Sequence, residues 1–241
     1  MIAARSLLAA FVAALTAGAA PPPGLVQPVL TPLPPRVGLA VRTPLPAPSD
    51  VAARIVAPAV LHAAPGGAVV ARLGTRTEFG SPRVLPVVRR AGAWLGVIAT
   101  QRPNGELGWI LASRARLVDE PVRLDVSLAR RTLSVVEHGR AVMRMTVGIG
   151  SPRTPTPTGW FAVTDALRGW GPYGCCIVAL SGHQPRLAQG WTGGDRLAVH
   201  GTEAPATIGA AASLGCLHAS AADMRRLLRV ARVGTRVHIT A

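Results

Sequence analysis

From residue 51 onward, short apolar runs alternate with turn-forming residues. Between 51 and 118 the breaks fall at Pro65-Gly66-Gly67, Gly80-Ser81-Pro82, Ala91-Gly92 and Pro103-Asn104-Gly105. Apolar runs of this length between Gly- and Pro-based turns predict several short strands. Residues 94–98 and 108–110 read as two of them, joined by a loop carrying Arg102-Pro103-Asn104-Gly105. Trp94 and Trp109 are assigned to the core of this block, the commoner place for such indoles, with a ligand-stacking surface as the alternative.

Residues 122–241 carry a second pattern. Segments 122–126 and 132–136 predict strands, with Glu137-His138-Gly139-Arg140 as the hairpin turn and 141–149 as a third strand. A proline-punctuated loop, Ser151-Pro152-Arg153-Thr154-Pro155-Thr156-Pro157-Thr158-Gly159, precedes a strand at 160–164. A short strand at 197–199 delivers His200, and another closes the chain at 233–239. Only 220–230 has helical spacing, with Ser220 as N-cap ahead of Asp223. The pattern is therefore mainly β with one helix, and no internal repeat is present.

The first 50 residues differ from both blocks. Arg5, the apolar run 7–15 and the small residues Ala17-Gly18-Ala19 read as a secretory signal over residues 1–19. The run is short for a membrane span, which needs about 20 residues, so membrane contact is expected only through an uncleaved signal anchor. Residues 20–50 are proline-rich and predict an extended linker. Localisation is thus expected to be exported: cell wall, periplasm or extracellular space.

The chain has 241 residues and a formal net charge of +15, carried by arginine alone. That balance favours anionic partners. The arginines are scattered singly or in pairs, without a basic helix or aromatic-interleaved run, which argues against nucleic acid. Three cysteines are an odd number for an exported chain. A disulfide between the neighbours Cys175 and Cys176 is a rare arrangement, and at least one of them reads as a small buried apolar residue in a strand. A bridge from either to Cys216 would block that thiol.

The chemistry concentrates in His200-Gly201-Thr202 and Ser213-Leu214-Gly215-Cys216-Leu217-His218. A cysteine attacks as thiolate, and its ordinary pKa of about 8.5 leaves little thiolate at neutral pH. An imidazole nearby takes the proton, so Cys216 and His200 form a candidate nucleophile–base pair. Glycines beside them let a substrate backbone approach and let N–H groups face a developing oxyanion. The order His-then-Cys argues against papain-like enzymes, in which Cys precedes His. A zinc site from His200, Cys216 and His218 is disfavoured by the Cys-x-His spacing, so no metal and no cofactor is expected.

This segment resembles the catalytic signature of the bacterial L,D-transpeptidases, which crosslink peptidoglycan. His200, Ser213, Gly215 and Cys216 occupy matching positions. Leu214 stands where the family usually has His, and His218 where it has Arg or Asn. The Thr-Pro-Thr-Pro-Thr-Gly loop and the order of elements across 122–241 are also similar to that family's catalytic domain, a β-sandwich with a helix beside the site. Residues 51–118 resemble the small Src-homology-3-like barrels that precede such domains.

The resemblance implies acyl transfer between peptidoglycan stem peptides through a thioester on Cys216, with His200 as base. A backbone carbonyl would orient the imidazole, so Asp195 and Glu203 are expected to be solvated loop charges. Backbone N–H groups around Leu214, Gly215 and Cys216 would form the oxyanion hole, with Ser213 supporting the loop. His218 is expected to act neutral, as an Asn-like hydrogen-bond partner. Tyr173, His183 and Gly201 are expected at the substrate cleft, with support of the catalytic loop as the second reading for His183. A monomer is expected. The alternatives are an L,D-carboxypeptidase-type hydrolase and a catalytically decayed wall-binding protein.

Overall fold

The computed structural model describes residues 49–187 and 194–241. The signal sequence at 1–19 and nearly all of the linker at 20–50 lie outside the described residues. Val41–Ala241 forms one compact unit built around two separate hydrophobic cores. The described residues are mainly β, with a single α-helix.

The first core is enclosed by β1 (Val51–Ile55), β2 (Ala59–His62), β3 (Val69–Leu73), β4 (Val84–Ala91), β5 (Trp94–Val97), β6 (Gly108–Leu111) and β7 (Ala115–Asp119). They hydrogen-bond in the order β3-β2-β6-β5-β4-β1-β7. Strand alternation decides which side chains go inside. Leu95, Val97 and Ile110 point into the core with Leu61 and Leu73. Trp94 and Trp109 fall on the opposite parity and are only half-buried. The core assignment of both tryptophans is therefore wrong. Trp109 instead covers Gly96 on the outer face, where a Cβ would stand 3.0 Å from the indole, and Trp94 meets His62 edge-on.

The second core lies inside β8 (Val122–Ser127), β9 (Thr132–Glu137), β10 (Arg140–Thr146), β11 (Ile149–Gly150), β12 (Gly159–Arg168), β13 (Cys176–His183), β14 (Arg196–Gly201), β15 (Ala211–Ser213), β16 (Leu217–Ala219) and β17 (Arg236–Thr240). Eight of these run as one sheet, β10-β9-β8-β17-β12-β13-β14-β16, and β11 pairs with β15 apart from it. The register of β12 against β13 slips between Val163 and Asp165. Such a bulge bends a strand, so β12 joins the two halves of the sheet around one core. Leu124, Leu133, Phe161, Leu180, Val199 and Leu217 fill it.

Helix α1 (Ala221–Val230) closes that core with Met224 and Leu227. Its start matches the sequence expectation: the Ser220 Oγ accepts from the Asp223 N–H at 3.1 Å. The segment expected as one strand over 141–149 is two, because the chain leaves the edge of the sheet after Thr146 to place β11 beside β15.

Two loops of the N-terminal half grip the C-terminal sheet. Asn104 Nδ2 donates to the His183 carbonyl at 2.7 Å, and its Oδ1 accepts from the His183 N–H at 2.9 Å. The His183 ring completes the clamp, with Nε2 2.6 Å from Thr100 O and Nδ1 2.9 Å from Asp195 Oδ1. Asp195 is buried and bound to His183, so it is not the solvated loop charge expected. The Asn104→Ala variant leaves two half-buried backbone groups without partners. It should lose about 1–3 kcal/mol of stability, read as a lower denaturant midpoint at unchanged slope.

Candidate active site

Strands β14 and β16 run parallel and side by side, with Val199 opposite Leu217 and His200 opposite His218. This pairing brings His200 beside the strand that Cys216 leads into. The rings of His200 and His218 stand 4.7 Å apart. Cys216 and His200 both line one cleft of about 580 Å³, together with Tyr173, Ser213, Leu214 and His218.

The loop carrying Cys216 is tied down from two sides. Within it, the Gly215 N–H donates to Ser213 Oγ at 3.0 Å, and that hydroxyl donates to Cys216 O at 2.6 Å. From the proline-punctuated loop, Thr156 Oγ1 donates to Gly215 O at 2.9 Å while accepting from the Gly150 N–H at 2.9 Å. Thr154 Oγ1 and the Ser151 N–H both reach Ser213 O, at 3.1 and 2.9 Å. The threonines of the Thr-Pro-Thr stretch therefore serve as brackets for the nucleophile's loop. Buried Gln184 adds a third support: its Nε2 donates to Pro155 O at 3.0 Å. Gly215 is required here, since its φ is +122° and a Cβ would lie 2.3 Å from Gln184 Nε2.

His200 Nδ1 lies 2.5 Å from Gly201 O. A carbonyl only accepts, so Nδ1 carries the proton and Nε2 is left as the basic nitrogen. Burial lowers the His200 pKa to about 4; the Gly201 bond opposes the shift and His218 adds to it. Burial raises the Cys216 thiol to about 11, opposed by a backbone hydrogen bond at Ala198. The resting pair is thus a thiol and a neutral imidazole. Burial likewise lowers His218. Its Nδ1 is 2.8 Å from Thr207 Oγ1, a hydroxyl already donating to Ala204 O at 2.7 Å. Thr207 therefore accepts from His218 Nδ1, which fits a neutral ring.

Tyr173 sits edge-on to His200 at 5.0 Å. Burial, and then the nearby Cys216, raise its pKa. Gly201 and His183 are not part of the cleft wall among the described residues. Gly201 supplies the carbonyl to His200 and a bare Cα for the turn at Tyr173–Cys175: a Cβ on Gly201 would stand 3.0 Å from Cys175 N and 3.2 Å from Tyr173 O. His183 is held in the clamp with Asn104. Glu203 is exposed at the rim of the cleft.

Cys175 and Cys176 are joined by a disulfide, and Cys216 is free. Consecutive residues in a regular strand point to opposite faces. Here β13 starts only at Cys176, and Cys175 still belongs to the turn after Gly174, which lets the two sulfurs meet. The rare arrangement is therefore the one the protein adopts, while Gln184 and Asn104 as supports of the site carry no signal in the sequence. Among the described residues no three His, Cys, Asp or Glu side chains gather into a metal-ligating group.

Residues 121–239 match the family model of YkuD, the L,D-transpeptidase catalytic domain. Two curated relatives are named as YkuD-type L,D-transpeptidases. The one from Bacillus licheniformis is 33% identical over 121 residues, 50% of this chain and 66% of its own length. The one from Bacillus subtilis is 31% identical over 120 residues, 49% of this chain and again 66% of its own. Among solved structures, L,D-transpeptidase 3 from Mycobacterium tuberculosis overlaps 57% of this chain and 75% of its own at 17% identity, with a TM-score of 0.44.

Proposed function

We propose that this protein is an exported cysteine acyltransferase of the L,D-transpeptidase type, acting on peptidoglycan stem peptides. The observation that carries the reading is the single cleft shared by Cys216 and His200, with Nδ1 of the imidazole fixed on Gly201 O. The match of residues 121–239 to the YkuD family model supports it.

As substrate enters, the Cys216 sulfur attacks the carbonyl carbon preceding a D-amino acid, and His200 Nε2 takes the thiol proton. The carbonyl electrons move to oxygen, where the backbone N–H groups of Leu214 and Cys216 would serve as donors; the Gly215 N–H is held by Ser213. Collapse breaks the bond to the D-residue, whose amine takes the proton back from His200. An acceptor amine then attacks the thioester, gives its proton to His200 and restores the thiol. Leu214 in place of the family's usual His leaves such a backbone donor intact, because the change is confined to the side chain.

The preceding Src-homology-3-like module, the exported location and the monomeric state belong to this same proposal. The arginine-borne charge of +15 suits the acidic polymers of a cell wall.

The test is incubation with purified disaccharide-tetrapeptide donors, followed by mass spectrometry of enzyme and products. A thioester at Cys216 together with crosslinked dimers supports transpeptidation. A thioester that yields only tripeptide would replace it with hydrolysis. At neutral pH the His218→Asn variant should keep its rate within about tenfold, since Asn supplies the same hydrogen bond that a neutral ring supplies. A fall to background in steady-state assays would show that position 218 needs an imidazole or a cation.

A further inference from the structure

Three large apolar side chains on separate segments line the cleft while remaining exposed: Phe79 at 49%, Trp170 at 55% and Leu214 at 55%. Phe79 comes from the N-terminal half, in the loop between β3 and β4. That loop is fastened to the C-terminal sheet by two consecutive residues just ahead of Phe79. Thr77 Oγ1 donates to Asp165 Oδ1 at 2.5 Å, and Glu78 pairs with Arg196 on β14. Arg76 Nη1 closes the turn on Gly80 O at 2.6 Å, and Gly80 takes the left-handed conformation at φ +86°. The exposed ring is therefore carried on a braced turn.

The charged groups of the cleft wall point to the same ligand chemistry. Arg196 is the wall's one cation outside its histidines, among the described residues. All three of its guanidinium nitrogens are engaged, by the Leu180 carbonyl at 2.9 Å, the Thr164 hydroxyl at 2.8 Å and Glu78. It is thus a brace and offers no open fork to a carboxylate. The remaining charge is Glu203, exposed at the rim. An anionic group held against this wall would lose hydration without gaining a partner.

We propose that Phe79 is a specificity-determining residue of the Cys216 cleft. With Trp170 and Leu214 it forms an apolar site for the uncharged, apolar flank of the acyl donor, and it turns away donors carrying a charged group there. The proposal rests on Cys216 being the reacting thiol. The N-terminal half is then part of the active site, and β14 is the shared element: Glu78 braces its first residue and His200 stands near its end.

The experiment compares two thiol reagents on the full chain, N-phenylmaleimide and N-methylmaleimide, with each rate normalised to that of glutathione. Cys216 is the free thiol, so intact mass reports it directly. The expected result is a phenyl-to-methyl rate ratio above one in the native chain. The ratio should fall by about three- to tenfold in Phe79→Ala, the size of one aromatic contact, and by less in Phe79→Leu. With tetrapeptide donors the same variant should raise KM more than it lowers kcat. An unchanged ratio, or an equal slowing of both reagents, overturns the proposal and leaves Cys216 as nucleophile. No addition by either reagent overturns both this proposal and the acyltransferase reading. Phe79 is half exposed, so the alanine variant is expected to fold, and circular dichroism checks it.

Discussion

Replacing His200 by alanine should lower the rate of Cys216 acylation by about 10²–10⁴, the span ascribed to a positioned general base. The imidazole sits at about 4 and the thiol at about 11, so the resting enzyme holds almost no thiolate at neutral pH. Its reactivity depends on transferring the proton as the sulfur attacks. In kcat/KM, which reports the free enzyme, the native rate should hold as pH falls toward 5. It should then decline as pH drops through about 4, where Nε2 becomes protonated and stops accepting. The His200→Ala variant should lose that acidic limb and instead gain with rising pH, as hydroxide replaces the missing base. Stopped-flow acylation by a chromogenic thioester or β-lactam measures both curves. An acidic limb near 6.5 would show that His200 is solvated in the working enzyme.

The Gly150→Ala variant should be among the most damaging single methyls added near the site. A Cβ there would stand 2.2 Å from Thr154 O and 2.5 Å from Thr156 N, both backbone atoms that cannot turn aside. Overpacking of this kind costs up to about 3 kcal/mol, or about 6–12 °C in Tm for a domain of this size. The harm reaches the nucleophile, because Gly150 N–H, Thr156 Oγ1 and Gly215 O form one chain of hydrogen bonds. Thermal unfolding and acylation should therefore fall together. A variant with native Tm and lost activity would instead place Gly150 against substrate.

The local signals in the sequence were legible where neighbours along the chain decide the outcome. Alternation across 122–126 and 132–136 fixed two strands and their inward faces, and Ser220 ahead of Asp223 fixed the start of the helix. The residue types at 200 and 213–216 singled out Cys216 and His200, which share one cleft. Alternation also held the correct answer for Trp94 and Trp109: both lie on the parity opposite Leu95 and Ile110, and a general preference for buried indoles obscured it.

What stayed hidden depends on residues far apart in the chain. Asn104 meets His183 across 79 positions, and Thr77 meets Asp165 across 88. No spacing rule links such pairs. Nothing along the chain marks Gln184, yet it is buried beneath Gly215. Nothing in its neighbours marks Phe79 either, and only the packing of its block on β12 and β14 sets it at the cleft.

The most direct test of the account is the intact mass of the purified protein with and without a carbapenem, beside Cys216→Ala. Thiols of the L,D-transpeptidase family are acylated by such β-lactams. The account predicts a stoichiometric adduct on the native chain, absent from the variant. No adduct on a chain whose Cys216 is confirmed reduced would contradict it, and would mark the site as decayed, with Leu214 and His218 as the first positions to revert.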